Sequence, residues 1–410
     1  MKAILIAGSF LIGLCTVPQS GLAQQQSAAT QPPDAAQVWE EIRMIEQLLP
    51  SLPDRAPALF ELAHDYAHLG NHPKGLSLLK QCLALREGFD PSGDPAFSEL
   101  KSSPEFASLV AEVHREFPAA SHARPAFRVA ETDLIPEGLA VNARTHVLYM
   151  SSLNRRKIVQ IAADGSESDF IRTGQYGVGA ICGIKVDANS DVWADACPYD
   201  GAGSELLHFD RSGRLLERFG ASEPGRHFFN DLVLDKAGAI YLTDSFANRV
   251  YRFDRKTHML TPLAFARTLY YPNGIALAEN GRWLYISDAF GTLQYNLQDQ
   301  TSREVDPGPL RTVSGFDGLY CFRGNLLGVQ NSLGSARIAE FHLSADGARV
   351  VSMRVLENRS GFTASPTTGA IDGSRFYFME NANIDAFQDG KVIHPQILEP
   401  VRIGVLDLRE

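Results

Sequence analysis

The sequence lacks an excess of basic charge: 38 Lys and Arg stand against 48 Asp and Glu in 410 residues, a net charge of -10. No basic field is present to hold a phosphate backbone, which speaks against nucleic acid as a partner. It also lacks a membrane-length apolar run after its start, so no transmembrane span is expected. There is no G-x-S-x-G, no C-x-x-C and no G-x-x-x-x-G-K-[ST]. The serine-hydrolase elbow, the thioredoxin-type redox pair and the nucleotide-binding P-loop lose their main support. Cysteine is scarce, with 5 residues. Of these Cys82 and Cys321 read as small buried apolar groups.

What is present begins with a leader. Residues 1–23 place Lys2 before an apolar segment, Ala3 to Val17, then Pro18, Gly21 and a small Ala23. This reads as an export signal cleaved after Ala23, so the mature protein is expected to be periplasmic or secreted. Leu14 before Cys15 is too bulky for lipid-attachment cleavage. Residues 24–38 are Gln-, Ala- and Pro-rich without periodicity, a flexible linker.

From 39 to 118 the apolar spacing is helical. Leu62, Ala63, Tyr66 and Leu69 form one face, Gly70 ends that helix, and Leu76, Leu79, Leu83 and Leu85 mark another. The pair resembles a tetratricopeptide (TPR) unit, expected to act as a cap or to offer a surface to a protein partner. His64 and His68, with Asp65 between them, faintly echo a zinc-binding helix, but Gly70 ends the helix before a third ligand. They are expected to be solvated.

From 127 to 410 the pattern is short β-branched and aromatic runs divided by Gly, Asp and Asn turns. It repeats. Copies begin PEG (from Pro136), ICG (Ile181), FND (Phe229), PNG (Pro272), FDG (Phe316) and TTG (Thr367). Their second residues, Glu137, Cys182, Asn230, Asn273, Asp317 and Thr368, recur at intervals of 43 to 51. Units of this size are propeller blades, and six can close a ring; a stacked solenoid would have shorter repeats. The expected fold is mainly β, a six-bladed β-propeller preceded by a small all-α segment. Phe127 to Thr132 and the final IGVLDLRE are candidates for the strands that seal it.

In a propeller the innermost strands line one channel, so equivalent positions converge. Glu137, Asn230, Asn273 and Asp317 then supply two carboxylates and two amide carbonyls. Such an oxygen-rich set suits a hard cation, Ca²⁺ better than Mg²⁺, though another divalent ion could serve. Asx and Gly also make turns at strand starts, but Glu137 has no turn role.

Taken in order, PEG, FND, PNG and FDG resemble the SMP-30/gluconolactonase/LRE-like propellers over the segment from Phe127 onward. The resemblance implies a channel Ca²⁺ bound by Glu137, Asn273 and Asp317. Asn230 would bind the metal or hold its water and substrate, and Asp317 would serve as general base or nucleophile. It implies a metal-dependent hydrolase acting on a small molecule, a lactone or related ester. A phosphotriesterase at the same site and a non-catalytic Ca²⁺-stabilised binding protein are the alternatives. The chain departs from the family in two places. Phe228 stands where sugar lactonases carry a substrate-contacting Arg, and Cys182 stands where paraoxonase-like relatives carry a His. With Phe228, Phe229 and Tyr271 expected to contact substrate beside Asn230, a hydrophobic compound is favoured over a sugar lactone.

Cys182 and Cys197 lie symmetrically about the turn at Ala188 to Ser190. A tight hairpin would set them opposite each other, and in an oxidising compartment a disulfide is favoured over two free thiols. His227, three residues before Asn230, could reach the channel mouth.

Overall fold

The computed structural model describes residues 35–409 apart from 53, 198–202, 222, 310 and 389. The expected leader and most of the linker lie outside the described residues.

Beyond the helices, the described residues form six antiparallel sheets arranged as the blades of a propeller and one small two-stranded sheet, Phe387–Gln388 with Lys391–Val392. In the first five, strands follow chain order outward from the channel, beginning with Leu139–Val141, Ile181–Val186, Phe229–Leu234, Ile275–Leu277 and Phe316–Phe322. Second strands such as Val192–Ala196 and Ile240–Asp244 are buried along their whole length, because each blade is covered on both faces by its neighbours. Inner strands approach closely where they start. A Cβ on Gly138 would lie 2.3 Å from the Cys182 carbonyl oxygen, and one on Gly183 2.8 Å from that of Asn230. Only glycine fits there.

The sixth blade closes the ring. Gly369–Asp372, Arg375–Met379 and Val401–Asp407 are joined on the outside by Arg124–Val129, with Phe127 opposite Ile403.

Among the described residues four α-helices precede the ring: α1 (Ala35–Leu48), α2 (Ala56–His68), α3 (His72–Leu83) and α4 (Pro104–Glu116). Gly70, with φ of 78°, ends α2, and Asn71 caps α3. A Cβ on Gly75 would sit 3.0 Å from the Ala63 carbonyl oxygen, so a glycine lets α3 press against α2. A TPR assignment is not supported: α2 and α3 form a single hairpin, and part of its surface is buried against the propeller. Phe60 and Phe89 share one core with Phe290 and Leu333 of blades four and five. Asp90 N–H donates to the Leu333 carbonyl (2.8 Å), Thr312 to Asp54 (3.0 Å) and Asn358 to the Phe117 carbonyl (3.1 Å). Ala120–Ser121 then adds a fifth strand to blade five.

This seat is on the channel face that carries the repeated positions. Phe316 pairs with Gln330, so Leu333 emerges beside the start of the strand holding Asp317. The expectation that His64 and His68 are solvated is corrected: both are only partly exposed, and His64 Nδ1 lies 3.0 Å from Asp94 Oδ2. Among the described residues no helix is long and apolar enough to cross a membrane.

Candidate functional site

The starts of the inner strands bring three of the six repeated side chains, Glu137, Asn273 and Asp317, close to one another. Asp317, 1% exposed, begins the inner strand of blade five. Asn273 Nδ2 donates to its Oδ1 (3.1 Å) and Asn331 Nδ2 to its Oδ2 (2.7 Å). Burial lifts its carboxyl to about 7, against the pull of those two amides. Glu137 keeps part of its surface open, and its backbone carbonyl accepts from Thr368 Oγ1 (2.5 Å). Its carboxyl is pushed well above the usual range by burial first and by the negative charges of Asp317 and Asp231 next. Asn230, 4% exposed, is fixed by Nδ2 donating to Ser245 Oγ (2.9 Å).

The backbone before these groups is unusual. Ile135, Tyr271 and Gly315 each stand two residues before Glu137, Asn273 and Asp317, and all three have positive φ (49°, 51° and 69°). For Ile and Tyr this conformation is costly, on the order of 1–3 kcal/mol each, and it is held by the surrounding packing. Blades one, four and five thus share one strained turn ahead of the residues expected to bind a cation directly. Blade three, with Phe228 at that place, does not share it.

The donor set fits a hard cation. Among the described residues no group of three His, Cys, Asp or Glu forms a metal cluster. What these contacts bring together is two carboxyls and one amide, Glu137, Asp317 and Asn273, oxygen donors of the kind calcium accepts. The mutual repulsion that raises Glu137 is what a bound cation would relieve. A second charged group lies nearby: Asp231, directly after Asn230, is 4% exposed and pairs through Oδ1 with Lys185 Nζ (2.8 Å).

The apolar surroundings sort into two sets. Phe228 and Tyr271 belong to a cluster at the mouth with Ile135, Leu153, Phe246 and Phe387. Tyr271 lies close enough to Glu137 and Asp317 for their charge, after burial, to raise its phenol. Phe229 is corrected as a substrate contact: it is fully buried between blades two and three with Trp193, Leu206 and Tyr251. Phe228, which precedes that strand and is 2% exposed, packs in the separate cluster with Ile135 and Tyr271. His227 is likewise occupied, with Nδ1 2.6 Å from Asp244 Oδ2 and Nε2 2.9 Å from the Glu223 carbonyl oxygen. Asn331 carried no signal in the sequence, because it lies in a loop outside the repeat's anchor position.

Cys182 and Cys197 are joined by a disulfide within the mouth cluster, with Cα atoms 6.4 Å apart and a sequence separation of 15. Closing a loop of this size stabilises a fold by about 3 kcal/mol. Replacing both cysteines with Ala is expected to lower unfolding free energy by about that amount in a urea titration. An unchanged midpoint would show that the bond adds nothing to the native balance. Cys82 is buried and Cys321 partly so, both with free thiols.

No family profile matches the chain, and no curated protein matches it. Solved structures do. The PQQ-bound aldose sugar dehydrogenase of Streptomyces coelicolor is 15% identical, aligning over 70% of this chain and 99% of its own with a TM-score of 0.50. A gluconolactonase from Xanthomonas campestris is 16% identical over 70% of this chain and 96% of its own, TM-score 0.48. Virginiamycin B lyase from Staphylococcus aureus is 15% identical over 61% and 79%, TM-score 0.46. At these identities the likeness is one of fold.

Proposed function

We propose that the chain is an exported, Ca²⁺-dependent hydrolase of lactones or related esters with an apolar body. The observation that supports this reading is the proximity of Glu137, Asn273 and Asp317, from blades one, four and five, with Asn230 at the equivalent position of blade three. Export is supported by the leader's residue pattern and by the Cys182–Cys197 disulfide.

The four side chains would hold the cation through their oxygens. When bound, Ca²⁺ supplies a Lewis acid that stabilises negative charge developing on a carbonyl oxygen. The chain's own residues do the rest. Asn331 and Asn273 fix the plane of the Asp317 carboxylate, and that group takes a proton from the attacking water. Phe228 and Tyr271 exclude bulk water and favour an apolar acyl or alkoxy group over a polyol.

The test is hydrolysis of a panel comprising gluconolactone, a hydrophobic γ-lactone, an aryl ester and a phosphotriester, before and after EGTA. Cleavage of the hydrophobic lactone that stops with EGTA and returns with Ca²⁺ is expected. Preferential cleavage of the phosphotriester would redirect the reading to that substrate class. Bound Ca²⁺ without any turnover would favour a binding protein.

A further inference from the structure

Under α2 lies a cavity of about 60 Å³, bounded by Tyr271, Asn273, Phe290 and Phe316 of the propeller and by Pro57 and Glu61 of the helix. Asn273 is one of the four site residues, so this cavity and the channel site share a wall. It has room for a few water-sized groups.

Glu61 is the one ionisable group that α2 contributes to the lining. It is 7% exposed, and its Oε1 has no hydrogen-bond partner. Burying a polar atom unpaired costs about 1–3 kcal/mol. The helix itself gives no reason for a carboxyl there: Ala58, Leu59, Leu62 and Ala63 around it are packed apolar residues. One turn on, His64 is held by Asp94 and sets a positive charge near Glu61. Burial nevertheless lifts the Glu61 carboxyl to about 7. The group can therefore accept a hydrogen bond in either protonation state.

We infer that Glu61 is a substrate-binding residue, which receives a hydrogen-bond donor, a hydroxyl or amide N–H, borne by the substrate next to its reacting ring or ester. This deepens the hydrolase reading and rests on it. The cavity has room for one hydroxyl or amide substituent, while the ring and apolar body of the substrate stay outside it on the channel side of Asn273. The helical segment is thus part of the pocket, and α2 sets which substrates enter.

The experiment measures calorimetric binding of two non-hydrolysable γ-lactams with the same apolar tail, one bearing a hydroxyl beside the ring and one without it. The full-length protein with Ca²⁺ is compared with Glu61→Gln and Glu61→Leu. Wild type is expected to bind the hydroxylated lactam about tenfold more tightly, and Glu61→Leu to lose that preference. Glu61→Gln should fold at least as stably as wild type, since it removes a carboxylate that burial disfavours, and should shift the preference at least threefold. It carries the test if Glu61→Leu does not fold. Equal binding of the two lactams by wild type, or a preference unchanged in both variants, would overturn the inference. The hydrolase reading would survive that result if turnover still vanished in Asp317→Asn. A Glu61-dependent preference in a protein that hydrolyses nothing would instead leave the binding role and remove the reaction.

Discussion

Asp317→Asn is expected to cut turnover of the best panel substrate by about a thousandfold, with the thermal midpoint held to within a few degrees. The side chain keeps its shape and stays between Asn273 and Asn331, which can turn an amide to present the complementary atom. The change also removes a carboxyl that burial has already raised to about 7, so the metal-free fold loses nothing by it. What disappears is the base and one anionic cation ligand. These two losses separate by titrating Ca²⁺: if affinity alone mattered, saturating Ca²⁺ would restore the rate. Full activity in the variant would remove Asp317 from the reaction.

The second large effect is on stability. Ca²⁺ is expected to raise the thermal midpoint far more at pH 8 than at pH 5. The unfolded chain ionises Asp317 near 3.8, whereas the folded chain without metal does so at about 7. Between these values the native state binds more protons, so metal-free stability falls as pH rises through that window. A shift of this size corresponds to ~4 kcal/mol when complete, with Glu137 adding to it in the same direction. Bound Ca²⁺ favours the ionised carboxylates, so its stabilising effect appears as they lose their protons. Differential scanning fluorimetry with and without EGTA across pH 5 to 8 measures this. A calcium-induced shift that is the same at both ends would contradict the assignment of these carboxyls as ligands.

The propeller and its repeated anchors were legible because one residue per blade recurs with a glycine after it in five of the blades. Steric contact explains that glycine, as the close approach at Gly138 and Gly183 shows. The phase of the aromatic residues was not legible. Both faces of a blade strand are buried, so no alternation distinguishes Phe228 at the mouth from Phe229 in the inter-blade core. Asn331 was hidden because it follows the second strand of blade five, away from the repeat's anchor position, and reaches Asp317 only through the fold. His64 was misleading for another reason. On a helix read alone a polar residue belongs to the solvent face, and only the packing of the segment that carries Asp94 and Phe97 over α2 covers it.

The pairing of Arg124–Val129 with Val401–Asp407 fixes the order of assembly. The outermost strand of the last blade is synthesised before the first blade, and it must wait for the far end of the chain to emerge. Until then Glu137 in blade one and Asp317 in blade five belong to an open arc whose ends are untethered. Long-range closure of this kind is slow and leaves strand edges exposed to proteases and to other chains. If the proposed calcium site holds, a defect in that distant seam is expected to weaken calcium affinity and shorten the lifetime of the newly made protein, although no seam residue is among the proposed ligands.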